Sequence, residues 1–307
     1  MNPEQLSYCQ TRAALYMSRL LKANVMFADT VPFYHYLNFA GVKLKELLRA
    51  LISVVREKSD NLDYSDALEE LYQARGWTIT RLTRDFNDII DDNPILREPM
   101  KACTLKVCQR IAATEAIDAE NYRLAREKFA GIFGLTPNAQ ELLEFAYIHE
   151  TESDVGCYLE RELDIFKTPN RKMFSALLDM NITEIMTALH ELQRCRLLGD
   201  GPINSGFRGF DDAVYEVYET PTADPAEIFC TPLKGETLPL DMFNISAEDL
   251  SYITRLLKSD THSPVHIMIY GSPGTGKTTF ARSLARELGL TAWVSNTSEP
   301  HKYREGR

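Results

Sequence analysis

No apolar run in this sequence approaches the roughly 18 residues that a membrane-crossing helix needs, and the opening MNPEQLSYCQTRAALYMSRLL has polar residues where a signal peptide carries a basic and then an apolar stretch. A cytoplasmic protein with no membrane partner is therefore expected. Cysteines are few and scattered: Cys9, Cys103, Cys108, Cys157, Cys195 and Cys230 form no metal-ligand spacing, and reduced, structural thiols are the reading. Three N-x-S/T triplets begin at Asn181, Asn244 and Asn296, but without a secretory route they are not glycosylation sites. Repeats and low-complexity tracts are also missing. Positive charge is in short supply, with a formal net charge of −10. Residues 1–130 are balanced, with 18 basic and 18 acidic groups; residues 131–215 carry a net −7, residues 216–245 a net −5, and only residues 246–307 are positive, at +2. Such a field repels a phosphate backbone and excludes broad electrostatic binding of nucleic acid. What remains, 307 residues with 44% hydrophobic and 25% charged side chains, is an ordinary globular composition with length for roughly two domains.

Residues 1–130 place apolar and charged positions at helical spacing, as in VKLKELLRALISVVREK and DALEELYQARGWTITRLTRDFNDII. Breaks fall at DTVPF, SDNLDYSD and DDNPILREP. A helical N-terminal domain is expected over 1–130. The stretch TPNAQELLEFAYIHE begins a helix with Thr136 as N-cap and Pro137 at the first helical position. In NITEIMTALHELQRCRLLGDG, Asn181 and Glu184 have capping-box spacing, and Ile185, Leu189, Leu192 and Leu197 form an apolar stripe. The alternating VYEVYE that follows reads as a β-ribbon. Helix, tight turn, helix and ribbon together resemble a winged-helix domain, placed over 131–215, with a plain helical bundle as the alternative. Its second helix offers Glu184, His190, Glu191, Gln193, Arg194 and Arg196 within a net −7 segment, so a protein contact or a pure spacing role is favoured over DNA.

Residues 216–245 contain four of the fourteen prolines and no sustained period, and read as a linker. The next segment, SAEDLSYITRLLKSD, is a helix with Ser246 at the N-cap, Asp249 three residues on, and Leu250, Ile253, Leu256 and Leu257 on one face. HIMIY at 266–270 is an apolar run suited to a buried parallel strand, and TTFARSLARELGL has helical spacing with Gly289 as a stop.

Between that strand and that helix stands GSPGTGKTT. Gly271, Gly276, Lys277 and Thr278 fill the fixed places of G-x-x-x-x-G-K-[ST]. Glycines at 271, 274 and 276 permit positive φ and let successive backbone amides converge on phosphate oxygens. The helix beginning near Lys277 points its positive dipole end at the same oxygens. Lys277 is the expected catalytic side chain, neutralising β- and γ-phosphate charge, and the Thr278 hydroxyl the expected Mg²⁺ ligand on bound ATP. The expected cofactor-binding residues are Gly271, Ser272, Pro273, Gly274, Thr275, Gly276, Lys277, Thr278 and Thr279.

GSPGTGKT, with Pro273 and Thr275 in the variable places, resembles the loop of AAA+ ATPases, which usually reads GPPGTGKT. The resemblance extends over about residues 238–300. It covers LPLDMFNISAEDLSYITRLLKSD upstream, similar to the family's linker and helix along the nucleotide site, and LARELGLTAWVSN downstream, similar to its first helix and second strand. It implies ATP and Mg²⁺ as cofactors, residues 241–246 near the adenine base, a ring-shaped homo-oligomer, and remodelling of a partner. On this reading residues 246–307 are the N-terminal part of an AAA+ domain, and the chain is the N-terminal portion of a longer ATPase. The fold class is mainly α, with a helical N-terminal region, a winged-helix domain and the start of a P-loop α/β domain.

The family also needs an apolar strand ending in Asp-Glu, sensor residues and an arginine finger. After Thr278 the sequence offers only Glu287, Glu299 and Glu305 as carboxylates, and none ends an apolar strand. Two other readings follow: a non-catalytic regulatory or binding protein with a vestigial P-loop, and a P-loop kinase acting on a small molecule. The long stretch before the loop weighs against the kinase.

Overall fold

Short polar side chains set the helix starts. In the computed structural model, which describes residues 6–23, 31–58, 63–74, 78–162, 171–198, 212–220, 230–258 and 267–295, Ser7 caps helix α1 (Tyr8–Lys22) in a capping box with Gln10. Asn181 does the same for α11 (Ile182–Arg194): its carboxamide oxygen accepts from the Glu184 amide at 3.0 Å, and the Glu184 carboxylate accepts from the Asn181 amide at 2.7 Å. Thr136 caps α8 (Pro137–Thr151), which has Pro at its first position. These caps satisfy amides that have no partner inside the helix.

The described residues are mainly helical and fall into two compact units, Met1–Thr222 and Ala223–Arg307. The first continues with α2 (Val31–Phe39), α3 (Leu44–Lys58), α4 (Asp63–Gln73), α5 (Ile79–Asp92), α6 (Arg97–Ala112) and α7 (Ala119–Phe133). After α8 come α9 (Ser153–Gly156), a π-helical turn (Cys157–Glu162), α10 (Arg171–Leu178), α11 and α12 (Asp212–Glu219). α1 packs on α6 and α10, and α8 on α11. The core is aromatic: Tyr16, Phe33, Tyr34, Tyr36, Phe86, Phe129, Phe145 and Phe174 are fully buried. Each such side chain contributes about 1.5–3 kcal/mol by leaving water.

A charged cluster sits within this core. Glu144 on α8 has no exposed side-chain surface and forms ion pairs with Arg12 at 2.6 Å and Arg126 at 3.4 Å. The Tyr8 hydroxyl donates to both its carboxylate oxygens at 3.1 and 3.2 Å. Glu141, one turn earlier, pairs with Arg12 and with Arg19. Burial raises the Glu141 carboxyl, but the guanidiniums of Arg12, Arg19 and Arg126 outweigh it and hold the group below the usual carboxylate range. Burial pushes the Tyr8 phenol up to about 12.

The β-ribbon expected at VYEVYE is instead α12. Val214, Val217 and Tyr218 are its buried residues, a helical spacing that the alternation of valine, tyrosine and glutamate conceals. Tyr218 stacks on Tyr147 at 4.3 Å between ring centroids and meets Phe129 at 5.6 Å and Tyr122 at 5.7 Å. This aromatic seat selects the helix. The VYEVYE element read as a ribbon, residues 214–219, is therefore not one, and residues 199–211 lie outside the described residues. The stretches 1–130 and 131–215 also lie in one compact unit. The expected apolar stripe is buried, with Ile185, Leu189 and Leu192 on α11 and Leu197 just beyond its end. Glu191, expected on an exposed recognition surface, accepts from the Thr136 amide at 2.7 Å and hydroxyl at 2.8 Å.

In the second unit, β1 (Cys230–Pro232) pairs antiparallel with β2 (Trp293–Ser295), with Cys230 opposite Ser295 and Pro232 opposite Trp293. A 3₁₀ turn (Leu240–Met242) leads to α13 (Ala247–Lys258), and α14 spans Lys277–Glu287. Two expectations are corrected here. Residues 267–270 are not a strand: Met268 and Tyr270 are 87% and 90% exposed, Ile267 and Ile269 half that. The run has the alternation of a strand, but among the described residues no neighbour pairs with its backbone, and a parallel strand is stable only when flanked and covered. The strand expected after the loop helix does form as β2, yet its partner is β1, in the stretch read as linker. No helix among the described residues is long and apolar enough to cross a membrane.

Candidate nucleotide-binding site

The loop 271–276 is built on three positive-φ glycines, at +151° for Gly271, +82° for Gly274 and +81° for Gly276. At the last two a side chain would be strained by the backbone itself, since open space or ordinary contact surrounds the added Cβ. The Thr275 hydroxyl donates to the Ser272 carbonyl at 2.9 Å and tightens the turn. Gly276 is then the N-cap of α14, without a side-chain cap bond. The first-turn amides of Lys277, Thr278 and Thr279 consequently have no acceptor within the helix, and the dipole adds positive potential at that end. A cluster of amides at a helix start behind consecutive glycines is a seat for an anion.

Lys277 lies on the first turn. Its ammonium donates to the carbonyls of Gly271 at 2.8 Å and Ser272 at 2.7 Å, and lies 3.5 Å from the Thr275 hydroxyl. Gly271, Ser272, Pro273, Gly274, Thr275 and Thr278 are exposed, while Gly276, Lys277 and Thr279 are half-buried. The nine expected loop residues thus form one accessible turn around the helix start. These residues fit a phosphate chain: amides, a cation and glycines without side chains in the way. The Thr278 hydroxyl is accessible to a hydrated cation on those phosphates. No group of three metal-ligating side chains occurs among the described residues; Glu287 lies at the far end of α14, and Glu299 and Glu305 lie outside the described residues.

α14 is held from the other side by a strap over 233–243. The Leu233 amide donates to Ala292 O at 2.8 Å, next to the β1–β2 pair. Arg282 donates to Glu236 O at 2.9 Å, Arg286 bonds to the Thr237 hydroxyl, and the Leu238 amide donates to Ser283 Oγ at 2.9 Å. Gly235, at φ +137°, permits this approach, because a Cβ there would collide with the Arg282 guanidinium. At the strap's end, Phe243 meets the buried Phe280 edge to face at 5.3 Å. A Cβ on Gly276 would stand 3.7 Å from the Phe243 ring. The stretch 241–246, expected near the base, therefore brings Phe243 to the foot of the loop. Sequence reasoning missed Gly235, Arg282, Ser283 and Arg286; the one signal was the i,i+4 spacing of Arg282 and Arg286, which puts both on one helix face.

No solved structure matches the chain. The model of the AAA family, described as ATPase family associated with various cellular activities, matches residues 267–305, so the segment that carries this loop is AAA-like and supports an ATP-binding role.

Proposed function

We propose that the chain is an ATP-binding protein of the AAA type, in which a helical accessory region precedes a motor segment and ATP hydrolysis is coupled to remodelling of a protein partner. The observation that carries this reading is the loop itself, three positive-φ glycines leading into a helix that starts on Lys277. The AAA match over the same residues gives it a family context. Bound ATP with Mg²⁺ would supply the hydrolysable γ-phosphate. In this chain the amides of 274–279 hold the phosphates, Lys277 offsets their charge, and Thr278 is the Mg²⁺ ligand. The acidic balance of residues 131–245 favours a protein client over DNA. Assembly into a homo-oligomeric ring in the cytoplasm belongs to the same proposal.

A non-catalytic nucleotide-binding role is the second reading, favoured by one fact: the Lys277 ammonium is engaged by the Gly271 and Ser272 carbonyls of its own loop. Titration of the full chain with Mg·ATP checks the shared part of both. Lys277→Ala is expected to weaken binding at least tenfold, the equivalent of about 1.4 kcal/mol. Equal affinities of parent and variant would sink the phosphate-site assignment.

A further inference from the structure

We infer that Phe243 is a positioning residue for the phosphate loop, held in place by the strap clamped to α14, and that it acts on Gly276 rather than on the nucleotide base. This rests on the nucleotide-binding reading above. Gly276 has φ +81° and is both the last residue of the loop and the N-cap of α14. It has no side chain with which to hold that conformation, and no side-chain bond caps the helix. What stands beside it is the Phe243 ring, 3.7 Å from where a Cβ on Gly276 would lie. The ring is in turn fixed by its edge-to-face contact with Phe280, whose amide donates to Gly276 O at 2.8 Å. The three residues close a small circuit: Phe243 on Gly276, Gly276 bonded to Phe280, Phe280 on Phe243.

The strap keeps that circuit under constraint. Arg282, Ser283 and Arg286, on one stretch of α14, bind Glu236, Leu238 and Thr237 in turn. With the strap held at three successive residues, through the backbone of Glu236 and Leu238 and the hydroxyl of Thr237, the chain has little freedom left over the short path to 243. Pre-organisation of the amides is what an anion site needs, since ordering them on binding costs affinity. Loss of the ring or of its anchor frees Gly276 to sample other conformations and disperses the amides of 276–279 without removing any group that touches phosphate.

Two ligands separate this role from a base contact: Mg·ATP and Mg·tripolyphosphate, which has no base. In the full chain, Phe243→Ala is expected to weaken both by the same factor, about tenfold. Phe243→Leu, which keeps apolar bulk against Gly276, is expected to restore most of both. Arg282→Ala, distant from the loop, is expected to weaken both by about threefold. Without ligand, the Phe280 amide of Phe243→Ala is expected to exchange its hydrogen faster than in the parent. Unchanged affinities with unchanged exchange overturn the inference, as does a loss confined to ATP, which would place the ring on the base. If instead Lys277→Ala binds tripolyphosphate as the parent does, or the parent binds neither ligand, the nucleotide reading fails first, and exchange at Phe280 still reports on the buttress.

Discussion

Arg12 is answerable to two carboxylates at once, since it pairs with Glu141 and with the fully buried Glu144. A buried ion pair contributes little net stability, because desolvation offsets attraction, but breaking it from one side leaves an uncompensated charge in the core. Arg12→Met is therefore expected to lower unfolding stability by about 3 kcal/mol, with Arg126 left as the one cation paired with Glu144 among the described residues. Adding Glu144→Gln to Arg12→Met is expected to recover part of that loss. Urea unfolding checks both, and an Arg12→Met variant as stable as the parent would show the pair to be dispensable. None of this was legible in the sequence. Arg12 sits on α1 and Glu141 and Glu144 on α8, far apart in the chain, and only tertiary packing brings them together.

Helix starts lie at the other extreme, because a cap is a contact between residues three apart. Asn181→Ala removes the acceptor for the Glu184 amide and is expected to cost about 1 kcal/mol, read as a lower urea midpoint at unchanged slope. No shift in the midpoint would mean that packing alone fixes the start of α11. The same locality made Ser246, Thr136, and the glycines of the loop readable in advance. Ser246 Oγ accepts from the Asp249 amide at 3.0 Å, as its spacing implied. Elements whose identity depends on a distant neighbour were not readable. In α12 the pattern of Val214, Tyr215, Val217 and Tyr218 fits a strand and a helix equally, and Tyr147, Phe129 and Tyr122 decide between them. Residues 267–270 fail in the opposite sense: the local signal for a strand is sound, but no described neighbour offers it a ladder. α13 forms on schedule yet buries none of its residues fully, so its apolar face was legible as a face and not as a contact.

Across the whole molecule, charge separates along the chain, from a balanced 1–130 to a net −12 over 131–245 and a slight positive excess beyond. Duplex DNA is expected to bind negligibly at about 0.15 M salt, where screening already limits attraction to roughly 8 Å. Fluorescence anisotropy checks this, and a measurable affinity that falls steeply with salt would transfer the client from protein to nucleic acid. The antiparallel pair of β1 and β2 has a mechanical consequence at the same scale. Cys230 opens β1 and Ser295 closes β2, and these two residues face each other. Tension applied along the backbone from both sides therefore meets the pair at one end and peels it open a bond at a time, rather than shearing all its bonds together. Force reaches the strap, and through it the phosphate loop, only after that clasp has been unzipped.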